Sequence, residues 1–169
     1  WMEENLHRPA VVGVCLIAYG VFFLLAERRR TPPRITRAED TDLSTALGIG
    51  LFQCLSLVPG TSRSGATVLG GLLLGASRTA AAEFSFLMAL PTMLGACLFR
   101  GGKLILAGTV FTGTETAALL TGCAVSFSVS LLVIRALLDY VRTHTFAPFA
   151  RYRMALGAAV LLARLTGRI

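Results

Sequence analysis

Charged residues are scarce in this sequence. They make up 15% of its 169 residues, where a soluble domain carries about 25%. That shortage excludes an ordinary water-facing surface and, with 54% hydrophobic residues, points to an integral membrane protein. Metal-binding patterns are missing too. Cys15, Cys54, Cys97 and Cys123 each lie inside an apolar stretch, with no CxxC spacing and no partnering histidine. They read as small buried apolar residues, so neither a metal site nor a disulfide is expected. The two histidines, His7 and His144, stand before the first apolar run and in a late loop, and read as surface or interfacial residues. No cleavage site separates Arg8 from the next charges, which argues against a signal peptide. The first residue is Trp1 instead of methionine, so a processed or truncated product is expected. The net charge of +7 comes without a soluble basic face carrying base-reading or stacking groups, and nucleic acid is not an expected partner.

What is present is a series of apolar runs. Residues 9–26, "PAVVGVCLIAYGVFFLLA", form an uncharged run of 18, close to the roughly 20 that cross a bilayer. Arg28, Arg29 and Arg30 follow at once, then a mixed-charge linker, "TPPRITRAEDTD" (31–42). Asp42 or Ser44 can cap the next helix. Further spans are expected at 79–98, with Pro91 as a kink, at 116–134, and at 154–166 after a polar segment that holds Arg142, His144, Arg151 and Arg153. Placing the 28–42 linker in the cytoplasm gives ten arginines on that side and five basic residues opposite, with Arg63 in the membrane. That split obeys the positive-inside rule. The expected fold is all-α: one polytopic membrane domain over 1–169, whose charge addresses membrane lipids.

One stretch breaks the pattern. Between the uncharged runs "ALGIGLFQCLSLV" (46–58) and "VLGGLLLGA" (68–76) stands the polar "PGTSRSGAT" (59–67). The flanking runs are too short to span, and broken helices at membrane depth are tolerated only where protein or a wet cavity surrounds them. Residues 44–76 therefore read as a re-entrant hairpin with 59–67 at its tip. Glu83, near Arg78, reads as its interfacial ion-pair partner, and Gly71 with Gly75 as a close-packing pair. A plain surface turn would explain the proline, glycines and capping hydroxyls. The density of phosphate-compatible groups favours a site. Arg63 offers a planar fork of donors, and Thr61, Ser62, Ser64 and Thr67 add hydroxyls. Gly60 and Gly65 let the backbone approach closely, and the next helix aims its first amides at an anion. An arginine inside a membrane costs about 2.5–3.5 kcal/mol and so usually marks function. No Gly-Lys-Ser/Thr follows, so a Walker A loop and a nucleotide are not implied.

With its flanks "GLFQCLSLV" and "GLLLGASRTAAAEFSFLMALP", the loop resembles the undecaprenyl-diphosphate phosphatase family, the bacitracin-resistance membrane proteins. "RPAVVGVCLIAYGVFFLLAERR" and "FAPFARYRMALGAAVLL" extend the resemblance over essentially the whole chain. It implies removal of the terminal phosphate from a C55 polyprenyl diphosphate, in a multi-pass protein of the bacterial inner membrane. The enzyme would recycle the lipid carrier of peptidoglycan synthesis and confer bacitracin resistance. It also implies inverted repeats whose two re-entrant loops meet near the midplane. Arg63, Ser62 and Thr67 match the family's active-site positions: Arg63 would grip the diphosphate, while Ser62 and Thr67 bind phosphate oxygens. Gly60, Thr61, Ser64 and Gln53 are the further substrate-binding candidates, and Pro59 helps shape the loop.

The family also has a Glu-x-x-x-Glu stretch and a Ser-Ser-x-Gly-His stretch in a first half, and this sequence contains neither. Gln53 stands near the first acidic position and cannot act as a base. The expected chain is thus a C-terminal part, with the ligands of a divalent cation (Mg²⁺ or Ca²⁺) in the other half and little activity of its own. The partner implied is the polyprenyl diphosphate lipid, and a homodimer is compatible with the reading. A polyprenyl-phosphate transporter or flippase, or an inactive fragment, stays open as an alternative.

Overall fold

Proline at the first position, where no amide donor is needed, starts a 20-residue helix, α1 (Pro9–Arg28). A computed structural model describes residues 8–28, 32–108 and 110–166 of the chain. After α1 come α2 (Leu43–Cys54), α3 (Arg63–Leu73), α4 (Arg78–Leu106), α5 (Gly113–Thr143) and α6 (Ala147–Leu165). Short 3-10 turns occupy Ala38–Asp40 and Leu55–Leu57. The described residues are helical throughout apart from loops and a single β-bridge between Ile35 and Ala76.

The chain divides into two units, Trp1–Ser85 with Val141–Ile169, and Phe86–Tyr140. In the first, α1 lies along α6 at glycine-mediated close approach. A Cβ on Gly20 would stand 2.9 Å from the Ala150 carbonyl, and one on Gly157 would stand 2.7 Å from the Gly13 carbonyl. Small residues replace area burial as the means of holding helices together where lipid competes for apolar surface. Phe23, Ile35, Ala66, Leu69, Ala80, Ala81 and Ala150 form the buried core.

Helices α2 and α3 pair as a hairpin. Asp42 caps α2 by accepting from the Thr45 amide at 3.3 Å, and Phe52 packs on Gly70, where a Cβ would lie 2.7 Å from its ring. The 12 and 11 residues of these helices give lengths of about 18 and 16 Å, short of the roughly 30 Å hydrocarbon layer. The turn after α3 uses Gly75 at φ +93°. Its carbonyl accepts from the Arg34 and Ile35 amides, at 2.8 and 3.1 Å, which ties the polar linker to the hairpin. Gly71 packs against Ala81, so the expected Gly71–Gly75 pair divides into one packing residue and one turn residue.

The second unit contains the remainder of α4 and most of α5. Nearly every residue there is exposed, large apolar ones such as Leu94, Phe99, Leu120, Phe127 and Leu132 included. Such a surface suits hydrocarbon. Among the described residues three helices, α1, α4 and α5, are long and apolar enough to cross a membrane.

Several expected bounds shift. Helices α4 and α5 run well past 79–98 and 116–134. Arg100, Lys103, Arg135 and Arg142 end the apolar runs, but arginine and lysine are good helix formers and do not end a helix. Pro91 lies inside α4. The last helix begins at Ala147, seven residues before 154, with Pro148 in its first turn. Arg151 and Arg153 consequently belong to α6 and not to a polar connector.

Candidate active site

The site is built from the hairpin tip outward. Thr61 is buried, and its hydroxyl donates to the Val58 and Leu55 carbonyls, at 2.8 and 3.1 Å, which closes the turn after α2. Gly60 has φ +94°, and a Cβ there would stand 2.7 Å from the Val12 carbonyl of α1. Only glycine meets both conditions. Ser62 caps α3: its Oγ accepts the Gly65 amide at 3.3 Å. Its φ of +66° is the one positive value at a non-glycine among the described residues. Such strain costs on the order of 1–3 kcal/mol and persists only where neighbours over-determine the backbone.

Ser62 and Ser64 are exposed, with their hydroxyls 3.4 Å apart, and Arg63 is half-buried between them. The Arg63 guanidinium makes no hydrogen bond or ion pair with the described residues. At the start of α3 the first amides have no carbonyl of their own helix to bond. Three donor-bearing residues and a helix N-terminus thus converge.

Thr67 is placed differently. It is 2% exposed. Its hydroxyl lies 2.5 Å from Ser85 Oγ and donates back to the Arg63 and Ser64 carbonyls, both at 3.1 Å. In this conformation Thr67 supports the loop from behind. Gln53 sits half-buried at the end of α2, where its carbonyl accepts from Ser56 Oγ at 2.6 Å.

Two contacts escape a reading of the sequence. Arg153, 4% exposed, reaches from α6 to the loop and donates through Nη2 to the Gly60 and Thr61 carbonyls, at 2.7 and 2.9 Å. Its guanidinium lies over the Tyr19 and Phe149 rings, 5.7 and 5.9 Å from their centres. Its Nε is buried with no acceptor among the described residues. The available signal was helical spacing: Ala150, Arg153 and Gly157 form one buried stripe of α6. The second contact corrects the expected Glu83–Arg78 pair. Arg78 instead binds Glu27 at the end of α1, through Nε at 2.9 Å and Nη2 at 2.5 Å. Residues five apart on a helix do not share a face.

The loop's polar contacts among the described residues include no carboxylate. Among the described residues no three His, Cys, Asp or Glu side chains come together as a metal would need. Guanidinium, hydroxyls and amides suit an anion, and these residues do not fit a divalent cation.

Apolar spanning helices and a short-helix hairpin define the class, a multi-pass helical membrane protein. The family model for the bacitracin resistance protein BacA matches residues 1–159, and the chain belongs to that family. Similar curated proteins are named undecaprenyl-diphosphatase. The one from Lacticaseibacillus casei (strain BL23) is 52% identical over 164 residues, covering 96% of this chain and 60% of the relative. That from Enterococcus faecalis is 49% identical, covering 96% and 58%. That from Streptococcus mutans serotype c is 47% identical, covering 95% and 58%. The chain thus spans about 60% of the length of the relatives it matches.

Proposed function

We propose that this chain carries the diphosphate-gripping part of an undecaprenyl-diphosphate phosphatase of the bacterial inner membrane. The hairpin α2–α3 enters the membrane and returns to the same side, as one half of an inverted repeat. The observation that carries the reading is the Arg63 guanidinium, without a partner among the described residues and held between Ser62 and Ser64 at the start of α3. A guanidinium pairs with two phosphate oxygens at once. Charge that accumulates on the transferred phosphoryl group would meet Arg63, the two serine hydroxyls and the first α3 amides, already oriented. Gly60 and Thr61 set the turn, Thr67 fixes the loop through Ser85, and Gln53 borders it. The divalent cation implied by the family does not fit these residues.

The test is phosphate release from farnesyl diphosphate by the protein expressed from its full reading frame, in detergent with Mg²⁺ or Ca²⁺. Release that is lost in Arg63→Ala supports the reading. Transfer of prenyl phosphate across proteoliposomes without phosphate release would replace it with a carrier.

A further inference from the structure

We infer that Arg153 is a positioning residue for the 59–67 loop, clamping the Gly60 and Thr61 carbonyls so that Ser62 and Arg63 face an incoming phosphate. The inference rests on the diphosphate reading of that loop, and its test reads the loop without turnover.

One nitrogen carries the clamp. Arg153 Nη2 donates to the carbonyls of two consecutive residues, 93 and 92 positions away in sequence. The residue that follows them is Ser62, with φ +66°. A strained serine is kept where its surroundings leave the backbone no alternative. Here the restraint comes from three directions. Arg153 holds the carbonyls, the Thr61 hydroxyl bonds the turn, and the Val12 backbone abuts Gly60. Of these, only Arg153 places a charge on the loop.

That charge is otherwise expensive. A buried cation is normally paired, and no carboxylate lies within ion-pair distance of Arg153 among the described residues. Two carbonyls and two aromatic faces replace the counter-ion. Its Nη1 also stands beside the first turn of α3, 3.2 Å from where a Gly65 Cβ would be. Two guanidiniums, from Arg153 and Arg63, thus flank a helix N-terminus that already favours negative charge. A residue serving only to glue α6 to the hairpin would do so better as an uncharged side chain of similar volume.

The experiment is hydrogen exchange on the purified chain in detergent, with and without inorganic pyrophosphate, comparing wild type, Arg153→Met and Arg153→Lys. Arg153→Met keeps an unbranched stem, two bonds shorter, and loses the donors. The Thr61, Gly65 and Ala66 amides should exchange about tenfold faster, pyrophosphate protection of them should vanish, and α1 and α6 should keep wild-type rates. Arg153→Lys, one bond shorter with its donors on one nitrogen, should restore part of the protection. Should Arg153→Met not fold, the lysine variant carries the same comparison. Unchanged exchange in the loop, or a rise spread evenly over α1 and α6, overturns the positioning role. A loop that loosens in Arg153→Met while pyrophosphate protects nothing in wild type keeps the clamp and removes the diphosphate reading.

Discussion

Glu27, at the end of α1, accepts two nitrogens of Arg78, at the start of α4, and also the Phe146 amide that opens α6, at 3.0 Å. One carboxylate therefore joins three helices of the first unit, and its side chain is only 8% exposed. The planar fork makes lysine a poor substitute. Arg78→Lys should lower thermal stability in detergent by about 1 kcal/mol, a modest figure because the arginine is 41% exposed and its pair is partly screened. Glu27→Gln should cost more, since it removes the charge on which both helix starts depend. An Arg78→Lys melting point equal to wild type would show the pair to be incidental.

Behind the loop, Thr67 and Ser85 should respond unequally. Thr67→Val leaves the Ser85 hydroxyl buried without its partner, a loss of about 1–3 kcal/mol. Ser85→Ala leaves Thr67 bonded to the Arg63 and Ser64 carbonyls and should cost less. In the double variant the two losses should fall short of their sum, as groups in direct contact do. A larger loss from Ser85→Ala than from Thr67→Val in a denaturant series would contradict this arrangement.

Asp42 lies in the polar linker, exposed, with its carboxylate bonded by the Ser44 hydroxyl at 2.6 Å and the Thr45 amide. Those donors favour the charged form and hold its pKa below the ordinary carboxylate value. The cap's contribution is fully present above the unfolded pKa, about 3.9, and is lost as pH falls through the depressed folded value. A carbon-detected NMR titration of the Asp42 carboxyl should show a midpoint below that of an unstructured aspartate; one at or above it would mean that the cap is not formed.

The loop was legible because polar residues in an uncharged setting announce themselves: "PGTSRSGAT" needed no partner in space to be noticed. The Asp42 cap was legible for a similar reason, being local. Arg153 was not, because its neighbours in the chain, Arg151 and Tyr152, are exposed. Its burial is set by the α1–α6 approach and by carbonyls more than ninety residues away. Glu27–Arg78 failed in the same way, since an apolar run tells where a helix lies and not which charge at its end meets which. Thr67 was noticed for its hydroxyl, but only Ser85, eighteen residues on, decides that this hydroxyl faces inward.

The proposed grip of Arg63 on a diphosphate through its paired donors is tested most directly by pyrophosphate binding to the purified protein. Calorimetric titration would compare wild type with Arg63→Lys, Arg63→Ala and the control Arg37→Lys, whose arginine pairs with exposed Glu39. Lysine keeps the charge and loses the planar fork, and hydrogen bonds to charged groups are worth about 1.5–3 kcal/mol each. Arg63→Lys should weaken binding roughly tenfold to a hundredfold, nearly as much as Arg63→Ala, while Arg37→Lys binds as wild type does. Wild-type affinity in Arg63→Lys would contradict that grip.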